Sequence, residues 1–149
     1  MRRVMIFFSA VLLIGFSVAF AQQNTKDKSK ETQAAEPAPA AISPEAMAKV
    51  NPVKSTPEGV ASVMKLYGYH CAMCHGKEGD GKGDLAVDMK LGLHDWRDAN
   101  TTAKMTDGEL FYVITNGRGK MTGGEGDRTK EEVRWNLVNL VRSFGKKAE

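Results

Sequence analysis

Both cysteines and two of the three histidines of this chain fall within six residues, His70 to His75. Cys71-Ala72-Met73-Cys74-His75 reads C-x-x-C-H, the attachment spacing of a c-type haem. The spacing has a physical reason. Two thiols three residues apart at the end of a helix can each form a thioether to a haem vinyl group. The adjacent His75 then lies under the porphyrin and offers an imidazole nitrogen to the iron. Two other chemistries compete for the same residues. A C-x-x-C pair can be a dithiol redox centre, but such motifs sit beside a βαβ pattern, and no segment here alternates at period two. A structural zinc site needs four ligands and usually a second close pair, and only His70 or His94 remains to supply them, at no regular spacing. One covalently bound haem c per chain is the expected cofactor, with Cys71 and Cys74 as its anchors and His75 as an axial ligand.

The other axial position decides what such a haem can do. A methionine thioether opposite histidine gives a low-spin electron-transfer centre and raises the potential, whereas an open position admits gases or substrates. Of eight methionines, Met1 and Met5 lie in an apolar N-terminal run, Met47 in a polar leader and Met73 inside the attachment loop. Met64 is expected in a helix core. Met121 is the expected ligand. It lies in Gly117-Arg118-Gly119-Lys120-Met121-Thr122-Gly123-Gly124, where glycines let the backbone curl across a cofactor face. Met89, Met105, His94 and an open position are the alternatives, Met105 fitting core packing because it directly precedes a helix cap. Arg97, Arg118 and Lys120 are candidates for hydrogen bonds to the haem propionates, or are ordinary surface charge.

Three helices must position these groups. The first opens with Thr56 as cap and Pro57 at the first position, and Val60, Val63, Met64 and Tyr67 recur at helical spacing. The second starts at the capping box Thr106-Asp107-Gly108-Glu109 and stops at Asn116-Gly117. The third starts at a second capping box, Thr129-Lys130-Glu131-Glu132, carries the stripe Val133, Leu137, Leu140, Val141 and Phe144, and ends at Gly145. A shorter helix from Ser43-Pro44-Glu45 through Val50 is expected before them. Between the first two lies a Gly- and Asp-rich loop, Gly76 to Asp84, then a less regular stretch to Ala103. Loops of that length are uncommon unless they wrap something. Asp80, Asp84 and Asp88 lack the EF-hand pattern, and Gly79-x-Gly81-x-Gly83 follows no strand, so neither a cation loop nor a dinucleotide fingerprint is expected. The fold class is all-α.

The chain around this domain narrows the compartment. Arg2 and Arg3 precede an apolar run from Val4 to Phe20, and Ala19-Phe20-Ala21 has the small-x-small form of a cleavage site. Residues 1–21 are expected to be a signal peptide cleaved after Ala21, with an uncleaved membrane anchor as the alternative. Residues 22–56, with Lys26, Lys28, Lys30 and Pro37-Ala38-Pro39, are expected to be a flexible tether, leaving 57–149 as the folded domain. A periplasmic location follows from export. The formal charge of +3 from 21 basic and 18 acidic residues falls to +1 without Arg2 and Arg3, 19 against 18. From Pro57 onward the counts are equal and no basic tract remains, so no nucleic-acid partner is expected. A composition 42% hydrophobic and 26% charged excludes wholesale disorder.

Taken together, Leu66-Tyr67 before Cys71-Ala72-Met73-Cys74-His75-Gly76, then Gly79-Asp80-Gly81, Thr106 to Phe111, Asn116-Gly117, Met121, Trp135 to Asn139 and Val141 to Phe144 resemble a class I c-type cytochrome. The likeness is greatest to the small c-type domains of bacterial respiratory oxidases, and runs from about Thr56 to Phe144. The resemblance implies the cytochrome c-like fold, three or more helices around one haem, with the first and last helices crossing and Tyr67 and the Trp135/Leu137 region between them. The sequence departs from the family at Thr122, where proline usually follows the axial methionine, at Val63, where a small residue is common, and at Leu140, where an aromatic is common. The implied role is a one-electron carrier rather than an enzyme, with periplasmic or membrane redox proteins as partners and no small-molecule substrate. It would act as a monomer or as the electron-entry subunit of a dehydrogenase or respiratory complex. A haem enzyme or sensor with an open iron site is the remaining alternative.

Overall fold

The computed structural model describes residues 41–146, so the expected signal peptide and most of the expected tether lie outside the described residues. Among the described residues seven helices make up the fold, and the only β-type pairing is an isolated bridge between Arg118 and Met121. They are α1 (Pro44–Met47), α2 (Pro57–His70), α3 (Ala72–His75), α4 (Asp84–Asp88), α5 (Ala99–Ala103), α6 (Asp107–Asn116) and α7 (Glu131–Phe144).

The caps of α2 and α6 form as their sequences imply. Thr56 Oγ1 accepts from Gly59 N at 3.0 Å with Pro57 in the first turn, and Thr106 Oγ1 accepts from Glu109 N at 3.0 Å. Gly117 closes α6 at φ 78°, a left-handed conformation that glycine adopts without the Cβ penalty. The start of α7 differs from expectation. Thr129 is not its cap, because the Thr129 hydroxyl donates to Glu125 O at 3.0 Å, and the helix begins after Lys130 with no side-chain cap. Arg134 secures this entry by donating to the carbonyls of Gly126 and Thr129.

Helix α7 lies at the centre of the described domain. Every residue from Trp135 to Val141 is buried. On one side Leu137 and Leu140 pack with Val63, Tyr67 and Ala72 of α2 and α3. On the other Trp135, Val138 and Val141 pack with Leu110 and Phe111 of α6, Trp135 stacking on Phe111 with ring centroids 3.9 Å apart. The crossing of the long helices thus joins Tyr67 to Leu137, while Trp135 serves the opposite side. Met64 is 44% exposed rather than core. α2 meets α7 along the narrow row of Val60, Val63 and Tyr67, and Met64 sits beside that row.

Two observations revise the expected N-terminal boundary. α1 ends at Met47 rather than Val50, and it packs on α6, with the Thr106 hydroxyl donating to Met47 O at 2.7 Å. Asn51 Nδ2 donates to Trp135 O at 3.1 Å and Asn139 Oδ1 at 3.0 Å, and Asn139 Nδ2 donates to Val53 O at 3.1 Å. The last part of the stretch expected to be a free tether is therefore bonded to α7. The loop regions also hold more structure than their sequence suggests. α4 nests against α3 so closely that Gly83 N donates to Cys74 O at 3.1 Å. Arg142 ties α5 to α6 by donating to Thr102 O, to Met105 O at 2.6 Å and to Asp107 Oδ1 at 2.8 Å.

Candidate haem site

The end of α2, α3, α6, α7 and the Gly-rich loop after α6 surround one cavity of about 470 Å³, within the usual range of cofactor pockets. Its wall is built chiefly from Leu93, Trp96, Leu110, Val113, Ile114, Leu137 and Val141.

Three of the four residues singled out from sequence stand on this wall, brought from separate parts of the chain. Cys71 ends α2, His75 ends α3, and Met121 comes from the loop before α7. Cys74 lies half-buried on α3 and is not on the wall. The two cysteines are not joined in a disulfide. The attachment segment is held from beneath. The Tyr67 hydroxyl donates to Gly76 O at 2.6 Å, and Gly81 N donates to His75 O at 2.8 Å. Trp96 stacks on the His75 imidazole at 4.2 Å, with planes 17° apart, and its own N–H donates to Gly79 O at 2.8 Å through the backbone. The bridge between Arg118 and Met121, with N···O distances of 2.8 and 3.0 Å, curls the loop that carries Met121. Met121 also borders a second cleft of about 400 Å³ beside Tyr112 and Asn116.

The chemistry of these groups suits a haem. Burial lowers the His75 pKa to about 4, so the imidazole is neutral and holds a lone pair. His75 Nδ1 is buried with no hydrogen-bond partner. Burial, then the charge of Glu125, raises the Cys71 thiol to about 11.

The alternatives separate by position. Met105 and His94 line the cavity, but Met89 is exposed and away from it. Arg118 lines the cavity and pairs with Glu109 at 3.2 Å. Arg97 is away from the wall, its guanidinium committed to Asp95 at 2.9 and 2.7 Å. Lys120 is exposed and off the wall.

Residues 58–141, more than half of the chain, match the family described as cytochrome C oxidase, cbb3-type, subunit III. The chain belongs to this family of c-type cytochromes. The cytochrome is therefore a haem-binding electron-transfer protein with an all-α fold, and haem c is the group its cavity implies. Cytochromes of this type are typically exported, and among the described residues no helix is long and apolar enough to cross a membrane. A solved structure named KustC0563 c-type cytochrome is 32% identical over 56% of this chain and 96% of that chain, with a TM-score of 0.48. No curated protein matches the sequence.

Sequence reasoning missed two cavity residues. Glu125 and Arg128 stand on the wall beside His70, yet in sequence they belong to an unremarkable run of charges. The turn between Gly124 and Thr129 buries Glu125 and brings Arg128, more than half exposed, beside it.

Proposed function

We propose that the cytochrome is an exported single-haem electron carrier in which Cys71 and Cys74 would hold the macrocycle by thioethers and His75 and Met121 would hold its iron. The convergence of Cys71, His75 and Met121 on one cavity carries this reading. When bound, the haem supplies a one-electron couple. The chain's own contribution is placement and exclusion of water. Trp96 orients the imidazole, Tyr67 fixes the backbone beyond it, and Leu137 and Val141 close the back of the pocket. With His75 and Met121 both holding the iron, the group would supply electron transfer and no substrate binding, and redox proteins outside the cytoplasm would be the partners.

Intact mass and an optical spectrum of protein exported to a periplasm test the reading. A mass equal to one covalent haem plus the chain beginning at Gln22 is expected, with a low-spin spectrum and a thioether-to-iron charge-transfer band. In Met121→Ala that band disappears and the reduced protein binds carbon monoxide. An apo mass, or a band that survives in Met121→Ala, refutes the corresponding assignment. The family's own description as an oxidase subunit favours a second reading, an electron-entry subunit. Stable co-purification with a membrane oxidase or dehydrogenase distinguishes it from a free carrier.

A further inference from the structure

Among the described residues, Glu125 is the one carboxylate on the cavity wall. It is 5% exposed, a burial that acidic side chains rarely reach without full pairing. Its backbone is fixed from both sides, with its N–H donating to Ile114 O at 2.7 Å and its carbonyl accepting from the backbone and hydroxyl of Thr129 at 3.0 Å each. The side chain is paired at one oxygen only. Oε1 lies 2.9 Å from His70 Nδ1 and 3.5 Å from Arg128 Nη1, while Oε2 is buried without a partner.

A loop staple alone does not require this arrangement. A neutral amide would also accept a hydrogen bond from His70, without the desolvation cost of a buried anion. The compensating groups are also the more solvated ones: the His70 side chain is 37% exposed and that of Arg128 57%, against 7% for Glu125. Water screens the positive side of the cluster more than the negative side. The other cation on the wall, Arg118, is engaged with Glu109. The field left over inside the cavity is therefore negative.

Resting on the haem reading above, we propose that Glu125 sets the redox potential: its buried negative charge favours the oxidised, more positive state of a haem held in this cavity. An electron entering the site moves toward a fixed anion and is held less tightly. His70 and Arg128 orient the carboxylate and moderate its effect.

The test is spectroelectrochemical titration at neutral pH and low salt of the haem-loaded wild type, Glu125→Gln, Glu125→Asp and Arg128→Gln. One charge on the order of 10 Å away at an effective dielectric constant of about 20 changes an equilibrium about tenfold. Glu125→Gln, which retains shape and an acceptor for His70, is expected to shift the ferrous-to-ferric ratio about tenfold toward ferrous, 59 mV for a one-electron couple, with the low-spin spectrum unchanged. Glu125→Asp keeps the charge and shifts it by less than half as much. Arg128→Gln moves it in the opposite direction, an independent arm if Glu125→Gln does not load haem. An unchanged or lowered potential in Glu125→Gln, an equal shift in Glu125→Asp, or a raised potential in Arg128→Gln overturns the proposal. Failure of the haem reading itself is visible earlier, in the mass of the wild type.

Discussion

Replacing Tyr67 by phenylalanine removes one oxygen atom from the junction between the helix core and the attachment segment. Tyr67 is 2% exposed, and its hydroxyl bridges nine residues to Gly76 O at 2.6 Å. The size of the effect turns on what that carbonyl does afterwards. A buried acceptor left without a partner costs about 1–3 kcal/mol, whereas a hydrogen bond lost from a group that keeps another costs about 1 kcal/mol. Gly76 O also accepts from Gly79 N at 3.2 Å, so the lower figure applies. For a domain of this size, about 1 kcal/mol corresponds to a fall of about 4–8 °C in Tm. Thermal unfolding of the haem-loaded protein, followed by circular dichroism, reads it directly. Tyr69→Phe is the control, since Tyr69 is 69% exposed and its replacement should stay within about 0.5 kcal/mol. The pH dependence sharpens the test. Burial first, with a smaller contribution from the charge of Asp80, raises the Tyr67 pKa far above its ordinary value near 10. The raised pKa means that this contribution is complete below about pH 10 and is lost as the pH rises further, because the unfolded chain ionises there first. The gap between wild type and Tyr67→Phe should close above pH 10. A gap at neutral pH no larger than that of Tyr69→Phe, or one that widens in alkali, refutes the reasoning.

Other substitutions probe the packing around the site. Gly83→Ala would place a Cβ 2.3 Å from Met73 O and 2.5 Å from Ala72 O; with backbone on both sides the clash relaxes only by parting α3 from α4, so a loss near the upper end of the 1–3 kcal/mol overpacking range, about 3 kcal/mol, is expected in urea unfolding. Asn139→Ala removes the bonds that Asn139 makes to Asn51 and Val53, leaving only the bond from Asn51 to Trp135 O, and should cost about 1–3 kcal/mol, with limited proteolysis newly cutting within residues 48–56 while the haem-bearing core stays intact.

The parts of the fold that were legible in the sequence are those decided locally. Thr56-Pro57, Thr106 with Glu109, and Asn116-Gly117 bound their helices because a cap needs only its own next few residues. Thr129 shows the limit: its hydroxyl had two possible bonds, and the turn from Glu125 decided between them. The periodicity of α2 marked an apolar face but not the width of its partner, which left Met64 outside. α3, α4 and α5 are too short, four or five residues each, to show a helical period. The docking of residues 51–53 depends on amide contacts 84 to 88 positions apart, which no local pattern encodes. The same division holds at the site. C-x-x-C-H is contiguous, and a glycine-rich loop advertised Met121, but the burial of Glu125 exists only once the loop closes on α2.

The seven consecutive buried residues of α7 have a consequence for how the pocket moves. Enclosed by both hydrophobic clusters, residues 135–141 have no face from which they can open locally, so their amides should exchange with solvent only when the whole domain unfolds. Leu137 and Val141, one from each cluster, belong to the cavity wall. The back of the pocket is therefore made from residues expected to open only with the whole domain. A redox centre against such a wall finds nearly the same surroundings before and after each electron, and little of the driving force is spent on rearranging the protein.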